Sequence, residues 1–138
     1  MKWFIKGLKY YFVFNGRARR KEFWMWILFS TIISYAIMLI DYLLGTNMYF
    51  YVGPENKEIS FGIIGLVYNI LILIPNISIG VRRLHDINKS GWTLLMCLIP
   101  FAGIVIMIIF FCKPGISGTN KYGSDPKESM QNETEPIQ

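Results

Sequence analysis

Charged residues are scarce in this 138-residue chain: aspartate, glutamate, lysine and arginine make up 17% of it, whereas 53% is hydrophobic. Three stretches, at about residues 23–44, 61–80 and 92–112, contain only one ionisable carboxylate or base, Asp41. Such a composition excludes a disordered chain and a collagen. It also excludes a two-domain enzyme, because too few residues remain outside the three stretches to build one.

Cysteine and histidine are nearly absent as well. Cys97 and Cys112 are the only cysteines, and both fall in the third apolar stretch, too far apart on one helix to pair with each other. His85 is the single histidine. The sequence therefore predicts no disulfide framework, no metal site and no cofactor.

Each apolar stretch is long enough to cross a bilayer, since a helix of about 20 residues spans the roughly 30 Å of hydrocarbon. A soluble bundle is disfavoured, because three helices would need burial on all sides in a small protein. We therefore predict an all-α membrane protein, with one membrane domain over residues 1–126 and a disordered polar tail over residues 127–138. The three stretches are its transmembrane helices, and the first is expected to remain in the mature protein.

The third stretch contains Pro100 and Gly103 at its middle, so it has two interpretations. A single kinked helix crossing the membrane is favoured, because irregular backbone exposed to lipid is energetically costly. A re-entrant hairpin, with the chain returning to the side it came from, is the alternative and agrees better with the distribution of charge.

An amphipathic helix is predicted before the first span. On a helical wheel one face carries lysines at positions 2, 6 and 9, and the opposite face is apolar, which is typical of a helix lying in the membrane interface. The apolar face consists of Trp3, Phe4, Leu8, Tyr11 and Phe12.

Lysine and arginine are concentrated in residues 1–22 and 81–91. By the positive-inside rule these two segments are cytoplasmic and residues 45–60 are external, and three full spans would put the tail outside too. The cations adjoin the spans without any nucleic-acid-binding motif, so the expected partner is anionic lipid rather than nucleic acid. The candidate lipid or phosphate contacts are Arg17, Arg19, Arg20, Arg82 and Arg83.

Polar residues within the first two spans are candidates for helix packing or for a polar pathway. They are Ser30, Ser34, Asp41, Asn69 and Asn76. Under the three-span topology Asp41 and Lys113 share the outer membrane surface, so we predict that they lie near each other. Pro75 predicts a kink in the second span.

His85 and Asp86 invite a catalytic interpretation, but neighbouring helix residues point about 100° apart and no nucleophile is recognisable nearby. We therefore predict no catalytic residue. Arg82 and Asp86 are four positions apart and could pair on one helix face, although an arginine before the aspartate is the weaker order, and Arg83 could then face phosphate.

Four segments carry a resemblance: NGRARRKEFW at 15–24, RRLHDINKSGW at 82–92, IPFAG at 99–103 and KPGISGTNKYGSDP at 113–126. Together they resemble the YhaH-like bacterial inner-membrane proteins, domain-of-unknown-function family 805 (DUF805). The resemblance implies a small multi-pass inner-membrane protein whose biochemical role is unassigned, and it supplies no substrate or catalytic residue. Residues that match the family motifs include His85, Asp86, Trp92, Pro100, Gly103, Asn120, Tyr122 and Gly123.

Three functions remain open at this stage. We favour a non-enzymatic interaction or membrane-organising protein whose basic cytoplasmic face engages anionic headgroups, a second copy of the chain or another membrane protein. A subunit of an oligomeric small transporter or channel would line its path with Asp41, Asn69 and Asn76. A membrane enzyme acting on lipid would use His85 and Asp86.

Overall fold

The computed structural model describes residues 2–52, 54 and 57–126. The tail predicted to be disordered, residues 127–138, lies outside the described residues. Helix α1 (Lys2–Lys9) is followed by the long helix α2 (Arg20–Leu44). A β-hairpin of strands β1 (Asn47–Val52) and β2 (Lys57–Gly62) leads to the second long helix, α3 (Ile63–Asp86). A 3-10 helix (Gly91–Leu98) and helix α4 (Ala102–Cys112) come after it.

Helices α2 and α3 are the two helices of the described residues that are long and apolar enough to cross a membrane, with 25 and 24 residues. They confirm the first two predicted apolar helices, although α3 continues six residues beyond the predicted end and runs through Pro75. Both direct apolar side chains outward, Leu39 and Ile70 being 57% and 62% exposed. Apolar surface on this scale suits a helix pair surrounded by lipid.

The small core lies where α2 and α3 pack antiparallel against each other and against α1. Phe4 stacks on Trp26 with ring centroids 4.9 Å apart, and Gly7 contacts the same indole, since a Cβ at Gly7 would lie 2.2 Å from a ring carbon. The buried apolar residues of this cluster are Ala18, Phe23, Trp26, Ile72 and Ile79.

Helix α1 confirms the predicted N-terminal helix, with one correction. It ends at Lys9, so Tyr11 and Phe12 do not belong to its apolar face. Phe4 packs against protein, whereas Ile5 and Leu8 remain exposed. Its position in the membrane interface stays a prediction.

The expectation of an all-α fold is wrong in one place, because β1 and β2 form a two-stranded antiparallel sheet between the long helices. Asn47 lies opposite Gly62 in its register. Aromatic residues favour a strand at 47–52, and ring contacts such as Phe50 on Phe61, 6.3 Å apart, add cross-strand stabilisation.

The expectation of a third continuous span is also wrong. The third apolar stretch divides at Ile99–Phe101 into the 3-10 helix and the 11-residue α4, as the hairpin alternative requires. Gly103 lets the two arms meet, because a Cβ there would lie 1.9 Å from the Met96 carbonyl oxygen. Proline supplies no N–H, and the following N–H groups of Ala102, Gly103 and Val105 are bonded to carbonyls of the turn. Local hydrogen bonding thus removes the cost that favoured one helix.

The turn at Ile99–Phe101 returns the chain to the end of the molecule where α2 begins and α3 ends. We call this the arginine end, defined by Arg17, Arg19, Arg20, Arg82 and Arg83, and the opposite end, with β1 and β2, the hairpin end. Residues 113–126, the terminal segment, lie against the arginine end, since Ile116 N–H donates to the Asp86 carbonyl at 3.0 Å. The prediction that the chain leaves the third stretch on the opposite side is therefore wrong.

Candidate functional site

Two buried carboxylates organise the arginine end. Glu22, in the first turn of α2, accepts from Arg82 Nη1 at 3.2 Å and from Lys6 Nζ at 2.9 Å. Asp86, the last residue of α3, accepts from Arg17 Nε at 3.0 Å and from Arg83 Nη1 at 2.6 Å. These four contacts form the ion-pair cluster.

The pairing differs from the one that spacing alone predicted. Arg83, three residues before Asp86, is its partner, and Arg82 turns instead to Glu22 on α2. Arg82 also lies over the Tyr10 ring, 5.0 Å from its centroid. The expected Arg82–Asp86 pair is wrong, because a carboxylate on a neighbouring helix is better placed than one on the same helix.

The arginines also hold the terminal segment through its backbone. Arg17 Nη1 donates to Gly118 O at 2.6 Å and to Gly123 O at 3.3 Å, and its Nη2 donates to Ile116 O. Arg83 donates to Phe111 O at 3.2 Å and to Lys113 O. The planar guanidinium fork satisfies several carbonyls at once, which a lysine cannot do. Arg17 and Arg83 thereby join the loop before α2, the end of α3 and the terminal segment.

The terminal segment passes so close to Asp86 that position 115 must be glycine. A Cβ at Gly115 would lie 2.1 Å from Asp86 Oδ2, and this oxygen is held by Arg83. The glycine of the KPG sequence therefore allows the backbone of the terminal segment to pass the carboxylate.

His85 has a packing role in this arrangement. Its ring stacks on Tyr122, with centroids 3.8 Å apart and planes 4° apart, and Nδ1 lies 3.2 Å from the Gly16 carbonyl oxygen. The His85 carbonyl accepts from Asn120 Nδ2 at 3.0 Å. Both oxygens of Asp86 bind arginines, so the carboxylate does not orient the imidazole as a catalytic dyad would require.

The predicted lipid contacts do converge at the arginine end, but they divide into two groups. Arg17, Arg82 and Arg83 are 7%, 3% and 0% exposed, so their assignment as surface contacts is corrected to internal ion pairs. Arg19 is half-buried and donates to Pro126 O, while Arg20 is exposed and donates to Cys112 O at 3.2 Å. For Arg19 and Arg20, lipid contact stays a prediction.

The exposed charge at this end has one sign. Glu22, Asp86 and Asp125, its acidic residues among those described, are all buried. The exposed cations, which we call the cationic face, are Lys9, Arg20, Lys21, Lys89, Lys113 and Lys121. Of these six cations the sequence analysis named only Arg20 as a candidate lipid contact, although the lysines too lie beside the apolar stretches.

Asp41 lies at the other end of the molecule and caps α3. Its carboxylate accepts from Ile64 N–H at 3.1 Å and Gly65 N–H at 2.7 Å, and from the Thr46 hydroxyl. A carboxylate at a helix N-terminus satisfies free N–H groups and the helix dipole. The predicted pairing with Lys113 is wrong. Asp41 binds Gly65 near the start of α3, whereas the Lys113 carbonyl is bound by Arg83 near its end. At 1.5 Å per residue, Gly65 and Arg83 are about 27 Å apart along the helix.

The remaining polar candidates lie between α2 and α3. Ser30 is buried and donates to Ile27 O at 3.0 Å, and its own carbonyl accepts from Tyr68. Asn76 Oδ1 accepts from Trp26 Nε1 at 2.7 Å, which is a bond between the two helices. A cavity of about 650 Å³ is lined by all five polar candidates, Ser30, Ser34, Asp41, Asn69 and Asn76. A pathway role for them stays a prediction.

The family-motif residues shape the arginine end and the hairpin of the third stretch. The backbone N–H of Trp92 donates to the hydroxyl of Ser90, which caps the 3-10 helix, and Trp92 is 79% exposed. Asn120 and Gly123 exchange backbone hydrogen bonds, with Gly123 at φ +131°.

Within the described ranges no three histidine, cysteine, aspartate or glutamate residues are grouped as a metal ion would need.

Comparison with known proteins identifies a family and two relatives named as inner membrane proteins. The profile of the family described as "Protein of unknown function (DUF805)" matches residues 11–124. The chain is 43% identical over 127 residues to "Inner membrane protein YhaH" of Escherichia coli K12, covering 92% of this chain and 98% of that protein. It is 36% identical to "Inner membrane protein YhaI" of the same strain, covering 92% and 97%. No solved structure matches the chain.

Proposed function

The chain belongs to the DUF805 family of proteins of unknown function, and from this premise we propose that it is a non-enzymatic membrane-organising protein whose cationic face engages anionic lipid headgroups. Location in the bacterial inner membrane is supported by the names of the relatives and by the two long apolar helices. The apolar surfaces of α2 and α3 would hold the arginine end at the level of the headgroups.

The observation that supports this function best is the separation of charge at the arginine end. The ion-pair cluster buries Glu22 and Asp86, so these acids cannot neutralise the lysines outside. Each cation near an anionic membrane surface contributes about 1 kcal/mol of attraction. The buried acids thus hold the fold together, while the exposed lysines and Arg20 remain available to phosphate.

The same charges support a two-crossing topology. Twelve of the fourteen lysines and arginines belong to residues 2–22, 81–91 and 113–126, the segments at the arginine end, whereas Lys57 alone lies between α2 and α3. The positive-inside rule then assigns the arginine end to the cytoplasm and the hairpin end to the outside. The chain would cross twice, with its third apolar stretch entering and leaving on the cytoplasmic side.

Reporter fusions test this topology. We expect green fluorescent protein to fluoresce when fused at either end of the chain. This reporter folds in the cytoplasm but does not become fluorescent after export through the general secretion route. Alkaline phosphatase, active only outside, should be active when inserted in the turn of the β-hairpin. An active phosphatase at the C-terminus would contradict the two-crossing topology and the proposed position of the terminal segment.

Neutralising the cationic face tests the lipid function. The variant Lys89→Gln/Lys113→Gln/Lys121→Gln should lose at least about tenfold in preference for phosphatidylglycerol over phosphatidylcholine, since three exposed cations are removed. Trp24 and Trp92 are both exposed at the arginine end, so brominated lipids that bind there quench the tryptophan fluorescence of the protein. The preference of the parent should also fall at high salt, which screens surface charge.

Lys57→Gln is the matched control, because it removes one cation from the hairpin between the spans. Lys57→Gln should retain the lipid preference of the parent. The triple variant should retain the thermal stability of the parent, since its three lysines are exposed. A parent without preference, or a triple variant that keeps it, would refute the lipid function.

A further inference from the structure

The cavity between α2 and α3 is a groove within the two long apolar helices. It extends from Ser30 and Asn76, near the middle of the helices, to Asp41 and Ser60 at the hairpin end. Thr31 and Asn69, on its two walls, are exposed. The groove is therefore open along the side of the molecule that, in a membrane, faces lipid.

Several polar groups in this groove have no partner among the residues that the structure describes. Asn69 donates one amide hydrogen to Gly65 O at 2.7 Å, which leaves its second N–H and its Oδ1 free. The hydroxyls of Thr31 and Ser34 are free as well, as is the amide nitrogen of Asn76. Hydrocarbon offers no hydrogen-bond partner, so each free group destabilises a helix pair left alone in a bilayer.

The groove also presents no free charge. The Asp41 carboxylate is fully buried and is occupied by Thr46, Ile64 and Gly65. An ion or a charged headgroup therefore finds no counter-charge here. A lipid acyl chain would fill the volume, but it has no donor or acceptor for the free amide. The occupant must be neutral and must both donate and accept hydrogen bonds.

We propose that this groove is the interface of a homodimer, in which Asn69 of each copy hydrogen-bonds to Asn69 of the other across a two-fold axis. A carboxamide is its own complement, because the free N–H of one copy meets the free Oδ1 of its partner, twice per dimer. Gly65 and Ser34 beside it are small, so the helices can approach closely. This inference is independent of the lipid function, which uses the opposite end of the molecule.

Cysteine cross-linking in native membranes tests the geometry. In a Cys97→Ala/Cys112→Ala background, Asn69→Cys should form a disulfide-linked dimer on mild oxidation. Ile70→Cys is the matched control, because Ile70 is 62% exposed at nearly the same depth but points about 100° away. We expect about tenfold more dimer at position 69 than at position 70, as a fixed interface requires. Equal cross-linking at the two positions would indicate random collision and overturn the proposal.

A second measurement keeps the cysteine chemistry out of the test. Asn69→Leu in the native chain should weaken dimerisation by about tenfold, measured by energy transfer between labelled copies in phosphatidylcholine vesicles, because both reciprocal bonds are lost. Asn69→Gln, which keeps the amide, should restore part of it. A parent that stays monomeric, with a lipid bound in the groove by native mass spectrometry, would overturn the proposal, as would an unchanged Asn69→Leu dimer.

Discussion

Asp86→Asn is expected to lower the free energy of unfolding by about 3–5 kcal/mol, because it leaves two buried guanidinium groups without their negative partner. Arg17 and Arg83 are almost completely buried, and both bind this one carboxylate. Titration with sodium dodecyl sulfate in mixed micelles measures the change. The terminal segment should also loosen, so trypsin should cleave after Lys121 faster than in the parent.

Lys89→Gln is the control for Asp86→Asn. It also changes one charge at the arginine end, but Lys89 is exposed, so its effect should stay within about 0.5 kcal/mol. Arg17→Lys separates charge from geometry, since it keeps the cation and loses the fork that holds Gly118 and Ile116. If Asp86→Asn unfolds like the parent and Lys121 is cleaved at the parental rate, the ion-pair cluster does not hold the terminal segment.

Asp41→Ala is expected to lower the free energy of unfolding by about 2–3 kcal/mol, because the N–H groups of Ile64 and Gly65 and the Thr46 hydroxyl lose their acceptor. The expected result is a frayed start of α3 and a loosened β-hairpin. Hydrogen exchange at the first turn of α3 measures the fraying directly. Asp41→Asn should be milder, since it retains one carbonyl acceptor.

Gly62→Ala provides an independent route to the same cap. A Cβ at Gly62 would lie 2.1 Å from Asp41 Oδ2, so this substitution should displace the carboxylate without removing it. The double variant with Asp41→Ala should then lose less than the sum of the two single losses. Additive losses, or a stability of Asp41→Ala equal to that of Ser34→Ala on the same helix, would contradict the capping role.

The ion-pair cluster and the cationic face depend on each other. Arg17, Arg82 and Arg83 bind Glu22 and Asp86 inside the molecule. The exposed lysines therefore form no ion pair with these buried acids, and their charge is directed outward. Guanidinium suits the interior, since it binds several carbonyls in a fixed plane, while an ammonium is strongly hydrated and suits the headgroup region. This division explains why arginine predominates in the cluster and lysine on the face.

The sequence by itself determined the parts of this protein that depend on local composition. Two long runs without charge predict α2 and α3, and basic segments beside them predict the arginine end, because apolar helices and adjoining cations follow from solvation alone. Pro100 and Gly103 indicated where the third stretch could divide. The sequence favoured one continuous helix there, which is wrong, because the division depends on hydrogen bonds within the turn and on the contact of Gly103 with Met96.

The tertiary structure alone decided which charges meet. Spacing on one helix suggested Arg82 with Asp86, but the partner of Arg82 comes from α2, sixty residues earlier in the chain. Asp41 likewise found its donors in the first turn of α3 rather than in Lys113. Ion pairs and caps of this kind depend on distances of a few ångströms between segments that are remote in sequence. Only the packing of α2 against α3, and the return of the terminal segment to the arginine end, fixes those distances.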